Sequence, residues 1–306
     1  MTRRCTPAHE RAFLRSVLYA AVFEYPLTLD QLHEALIGVR ATPDGLRRWY
    51  DESYTLQQLI EFSDGYFFPR GRRDLLDVRH AREVISRCVL RELRQPLALV
   101  LRMPFVRMVA LSGSLAHLNA SGEADLDLFV ITKANRVWSV TLTLLMLGHL
   151  FGWRRRLCLN YVISERQLGV QPDDLFSANQ IIHLRPLSGD GMYLRFLAAN
   201  SFVNEFYPNF APRSVPPAPA RWRRLERVLD WTIAPLYERV CRFAYHRHLR
   251  RRAASWQSHD QVRLQAECLK LHTSSHRRAV MERFEISVAE AERLIREEEP
   301  HAQGVL

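Results

Sequence analysis

Apolar positions change their spacing twice along the chain, and each change marks a new kind of element. Up to about residue 40 the period is helical: Phe13, Val17 and Ala21 recur at one-turn intervals, and Leu29, Leu32 and Leu36 form the face of a second helix. Thr28-Leu29-Asp30-Gln31 is a capping-box start for that helix, Gly38 is its stop, and Thr42-Pro43 opens a third. Residues 59–62 and 66–68 then flank Ser63-Asp64-Gly65, and Asp-Gly between apolar runs predicts a hairpin. Three helices and a hairpin make a winged-helix-like unit over residues 1–77. In such a unit the third helix reads DNA, yet Arg47 and Arg48 are its only basic residues, set against Asp44, Asp51 and Glu52. A packing or dimerisation role stands beside DNA recognition.

From 78 to 103 the pattern predicts one long helix, with Val84, Cys88 and Leu93 inward, Arg79, Arg82, Glu83 and Arg87 outward, and Pro96 bending it. Between 105 and 164 the period shortens to two and alternates with helical stretches. The expectation is strands at 106–111, 126–132 and 157–163, a short helix at 115–119 and a longer one at 137–153. The longer helix is nearly uncharged, but it falls short of the ~20 residues of a membrane span and carries Thr141, Thr143, Gly148 and His149. A helix packed on a sheet is expected, and no membrane span. Beyond 165 the chain reads as helical, with segments at 193–202 and 222–231 separated by the proline-rich stretch 214–219, a stiff linker. The fold class expected is α+β: a winged-helix-like unit (1–77), a mixed sheet with helices (78–187) and a C-terminal helical region (188–306).

The densest chemistry lies on the first two predicted strands of the sheet. Leu111-Ser112-Gly113-Ser114 ends one, and after ten intervening residues Asp125-Leu126-Asp127 opens the next. Side chains alternate along a strand, so Asp125, Asp127 and Phe129 share one face, and two carboxylates so placed can jointly hold a hard cation such as magnesium. Glycine lets backbone N–H groups approach a phosphate, and the Ser112 and Ser114 hydroxyls add donors beside it.

Gly113, Ser114, Asp125 and Asp127, in that order and spacing, resemble the DNA polymerase beta-like nucleotidyltransferase superfamily, whose pattern is Gly-Ser, a gap, then two aspartates alternating with hydrophobic residues. Residues 105–165 carry the likeness, and residues 174–200 look like the continuation seen in uncharacterised bacterial members. The resemblance implies a palm-like mixed sheet, two magnesium ions, and a nucleoside triphosphate. The nucleoside monophosphate would pass to an acceptor, which could be a small molecule, protein or RNA, as pyrophosphate leaves. Asp125 and Asp127 would then be catalytic metal ligands, with Ser112, Gly113 and Ser114 binding the nucleotide. The pattern's third acid corresponds to Asn160, which can offer a neutral oxygen but neither charge nor a base. The alternative is a catalytically impaired protein of the same fold that senses nucleotides or binds DNA as a regulator. Arg136 or Lys133, just past the strand, could meet phosphate charge or simply be solvated.

Composition changes this picture little. The net charge is +10, but only Lys133 and Lys270 are lysines and the arginines are spread along the chain, an evenness that codon bias produces; weak nucleic-acid binding is the most it implies. The run from Arg242 to Arg252 interleaves basic and aromatic residues and could grip RNA, lie on an anionic membrane, or form an exposed helix face. His272 and His276 have metal-compatible helical spacing but no acid or cysteine to complete a set. Five scattered cysteines without a C-x-x-C pair, and no apolar leader, suit a reducing, cytoplasmic setting.

Overall fold

The computed structural model describes residues 5–122, 124–217, 223–256, 262–271 and 276–302. The chain starts with α1 (Pro7–Ala21), β1 (Leu27–Thr28), α2 (Leu29–Glu34), α3 (Pro43–Glu52), α4 (Tyr54–Leu59), β2 (Ile60–Ser63) and β3 (Tyr66–Pro69). Both halves of the predicted capping box form at Thr28 and Gln31. Asp64 and Gly65 both adopt positive φ, 54° and 85°, as a tight two-residue hairpin demands. Two elements escape the sequence pattern: β1 adds a third strand to the hairpin in the order β1-β3-β2, and α4 precedes it.

The stretch expected as one helix is two, α5 (Asp74–Glu92) and α6 (Arg94–Arg102), with Pro96 in the first turn of the second. α5 runs through residues 77 and 78, and its buried face differs from the expected one: Leu93 is buried, but Val84 is 64% exposed and Cys88 is exposed, while Arg79 is buried. The Arg79 guanidinium stacks 3.8 Å from the Tyr25 ring centre and donates to the Pro26 carbonyl at 3.0 Å. Polarity patterning sends arginine outward; here a planar cation finds a ring and an acceptor inside.

There follow β4 (Val106–Leu111), α7 (Gly113–Ala116), β5 (Leu126–Thr132), α8 (Val137–Leu150), β6 (Leu157–Ser164), α9 (Leu175–Ile182) and β7 (Arg185–Ser188). Next come α10 (Asp190–Ala198), α11 (Val203–Phe206), α12 (Arg223–Trp231) and α13 (Ala234–Arg252), then β8 (Val262–Leu264), β9 (Cys268–Leu271) and α14 (Arg277–Ala302). The three expected strands and the two helices between them occur. Strands β8 and β9, inside the region read as helical, complete a six-stranded sheet in the order β7-β4-β5-β6-β9-β8. It is mixed: β5 and β6 are parallel, the other pairs antiparallel. The architecture is therefore α+β.

Each face of this sheet has its own core. Val109, Leu128, Val130 and Val162 pack under α5, α6, α8 and α13. Met108, Ala110, Ile131 and Ile163 belong to a second core shared with α1, the N-terminal sheet, α9, α10 and α14. The α8 N-terminus lacks a cap from its own Arg136; instead the buried Glu238 carboxylate of α13 accepts from the Trp138 and Ser139 amides at 3.1 and 2.7 Å. α8 is a 14-residue helix packed on the sheet, and among the described residues no helix is long and apolar enough to cross a membrane. Residues 218–222, part of the expected linker and segment 222–231, lie outside the described residues.

Candidate functional site

β4 ends at Leu111, and the chain turns at Ser112, whose amide donates to the Asp127 carbonyl at 2.9 Å. Gly113 adopts φ +64°, and a Cβ built there would collide with Asp127 Oδ2. Only glycine serves both demands, the left-handed backbone and the bare surface against which the carboxylate rests. Helix α7 begins at Gly113, not at Leu115, and is a single turn, so the first-turn N–H groups beside Ser114 have no partner inside it.

Asp125 lies one residue before β5 and is exposed; Asp127 is partly buried; Phe129 is buried. The shared face thus runs from mouth to floor of a cavity of about 700 Å³ that also takes in Ser112, Gly113 and Ser114. Burial lifts the Asp127 carboxyl to about 6, with the neighbouring Asp125 charge adding to the rise and a hydrogen bond from Cys158 opposing it.

Strand register sets Cys158 opposite Asp127. A bulge follows, because Phe129 pairs with Tyr161 and three residues of β6 are spent against two of β5. Asn160 lies in that bulge, and its side chain is outside the described residues. Lys133 and Arg136 are engaged elsewhere: both pair at 2.5 Å with the Asp230 carboxylate of α12. They do not line the cavity, and among its described lining residues there is no lysine or arginine. Among the described lining residues, the turn N–H groups and the Ser112 and Ser114 hydroxyls are donors that could meet a phosphate.

The deeper wall holds residues that sequence reasoning missed. His117, one turn past Ser114, and His183, at the C-terminus of α9, bring their rings to 4.2 Å across the cavity. Tyr25 donates to the His117 carbonyl at 3.0 Å, and the Asn179 amide donates to the Tyr207 hydroxyl at 3.1 Å. The i, i+3 spacing of Ser114 and His117 was a local signal; the approach of His183 was not. His183 Nδ1 donates to the Asn179 carbonyl at 2.8 Å, which leaves Nε2 as the acceptor of the neutral ring. Burial holds His183 down at about 4, against the help of that hydrogen bond and assisted by the Arg213 charge. Burial, then the charges of His183, Arg213 and Arg79, holds His117 well below the ordinary histidine range.

Both histidines therefore charge more readily in the unfolded chain. Their contribution to stability is intact above the unfolded value of about 6.5 and is lost as the pH falls through the window toward 4. A His183→Gln variant should lose less stability than the wild type between about pH 7 and about pH 4.5, by on the order of 2 kcal/mol, in urea midpoints taken across that range. Equal losses in both proteins would contradict a desolvated, neutral His183.

Among the described residues no group of three or more histidine, cysteine or acidic side chains is arranged to hold a metal ion; the Asp125/Asp127 pair stands alone, and His272, half of the spaced pair, lies outside the described residues. Two adjacent hard carboxylates, one of them raised by burial and by the other's charge, are nonetheless a donor set that a magnesium ion would relieve. In comparisons with protein-family models, curated proteins and solved structures, nothing matched this chain.

Proposed function

We propose that the chain is a magnesium-dependent nucleotidyltransferase, passing a nucleoside monophosphate from a nucleoside triphosphate to an acceptor bound in the same cavity. One observation carries this: the Asp127 carboxylate rests on Gly113 of the Gly-Ser turn, so the metal-binding and phosphate-binding halves of the motif form one surface. The mixed sheet is in keeping with a palm, and the N-terminal unit with a winged helix. Tyr19, Phe23 and Tyr25 of that unit line the cavity, which makes it a wall of the site. Its third helix is not free to read DNA through Arg47, which pairs with Asp51 and stacks 4.4 Å from the Phe62 ring centre.

In this reading Asp125 and Asp127 hold magnesium through their carboxylate oxygens, and the turn N–H groups with Ser114 orient the phosphates. Bound there, magnesium supplies charge neutralisation for the attacking oxygen and the departing pyrophosphate. The chain's own contribution is position: rigid strands behind the carboxylates, and a deep neutral wall that excludes water and holds the acceptor. The acceptor oxygen bonds to the α-phosphorus, the bond from that phosphorus to the bridging oxygen breaks, and the acceptor proton leaves to solvent or base.

A second reading, a nucleotide sensor that has lost turnover, is favoured by Asn160, which stands where the resemblance expects a third acid. Incubation with α-labelled nucleoside triphosphates, magnesium and fractionated cell lysate separates the two. Transfer of label by the wild type and its loss in Asp125→Ala with Asp127→Ala supports the enzyme. Transfer that survives the double substitution sinks it. Binding without transfer, with transfer appearing in Asn160→Asp, supports the sensor.

A further inference from the structure

Helix α12 packs Leu229 against the core but also exposes an apolar side. Its acids face the protein: Glu226 pairs with Arg107 at 2.5 Å, and Asp230 with Lys133 and Arg136. Its outward side carries Val228, 59% exposed, and Trp231, 92% exposed, between Arg224 and Arg227. Amphipathic helices of globular proteins turn their charged face to solvent.

Helix α13 repeats the arrangement. Glu238, Cys241 and Leu249 are its buried line against α8. Half a turn round lie Leu236, Val240 and Phe243, exposed by 66, 55 and 73%, flanked by the exposed Arg239, Arg247 and Arg250. The apolar strip continues onto α8: the Thr143 hydroxyl meets Tyr237 at 3.0 Å, and Met146 and Leu150 follow one and two turns on, both exposed. Among the described residues no carboxylate reaches Arg224, Arg227, Arg239, Arg247 or Arg250 as an ion-pair partner.

An exposed apolar strip bordered by unpaired arginines calls for a partner that is apolar inside and anionic at its surface. A second copy of this chain would bring the same arginines against themselves. Nucleic acid would satisfy the arginines but leave Leu236, Val240 and Val228 against water. We infer that the outward face of α12 and α13 is an interfacial membrane-docking surface that seats Trp231, Leu236 and Phe243 among the acyl chains of an anionic bilayer while its arginines meet lipid phosphates. The helices lie on the membrane and do not cross it.

The test is flotation of the full chain with vesicles of phosphatidylcholine alone or with about one third phosphatidylglycerol, at low and high salt. Expected are association with the anionic vesicles, a blue shift of emission that disappears in Trp231→Phe, and weakening by salt. Leu236→Gln with Phe243→Gln should weaken association about tenfold or more. Arg239→Gln with Arg250→Gln should weaken it several-fold on anionic vesicles only. These four positions are exposed, so circular dichroism unchanged from the wild type is expected for both variants. No association of the wild type, equal association with neutral vesicles, or insensitivity to both variants would overturn the inference. So would a dimer that Leu236→Gln with Phe243→Gln dissolves, or RNA binding that outcompetes the vesicles.

Discussion

Asp127→Asn makes the protein more stable in the absence of divalent cation and removes its response to magnesium. The carboxyl is lifted to about 6 in the folded chain, against an ordinary value of 3.8. The native state thus binds this proton more tightly than the unfolded state does. Stability from this group is full below about pH 3.8 and falls as the pH rises through 6, where the cost of holding a desolvated charge is complete. For a partly buried carboxylate that cost is on the order of 2 kcal/mol, and asparagine, equal in shape and uncharged, abolishes it. Melts in chelator should therefore separate the two proteins about twice as far at about pH 7.5 as at about pH 5. Magnesium, binding only the folded carboxylate, should raise the wild-type midpoint and leave the variant unmoved. Below about pH 6 the proton competes with the cation, so the wild-type response should fade there. A variant less stable than the wild type at neutral pH would show that Asp127 is a structural anchor and not a strained ligand.

Gly113→Ala should remove nucleotide binding as well as destabilise the fold. An L-residue at φ +64° carries about 1 kcal/mol of strain, and the new methyl group also displaces the Asp127 carboxylate that rests on Gly113. The combined loss is about 1–3 kcal/mol, with a loss of magnesium-dependent nucleotide affinity of about tenfold or more. Gly71→Ala is the control, since Gly71 has φ +79° with nothing near its missing Cβ; it carries the strain without the displacement. Denaturant midpoints and nucleotide titrations of both variants check this. Equal behaviour of the two variants would show that the contact with Asp127 does nothing.

These two residues were legible because the motif is local. Period-two runs located three strands of the large sheet, and the Gly-Ser turn and alternating acids sit at their ends, where chain direction alone fixes the geometry. What was not legible depends on partners. Strands β8 and β9, of three and four residues, are too short to show a period, and β9 finds its place only by pairing with β6. Arg79 turns inward because Tyr25 and the Pro26 carbonyl meet it there, which a polarity count cannot see. The bulge that holds Asn160 forms only where β6 pairs with β5, which a motif match cannot see. His117 and His183 are far apart in sequence and meet only in the folded chain.

The claim on which the rest depends is that Asp125 and Asp127, with the Gly113 turn, form one site for a magnesium–nucleotide complex. The most direct measurement is calorimetric titration of a non-hydrolysable nucleoside triphosphate analogue into the wild type and into Asp125→Ala with Asp127→Ala, each with magnesium and with chelator. Saturable binding by the wild type in magnesium alone, and none by the double variant, is expected. Binding that persists in chelator or in the double variant would contradict it.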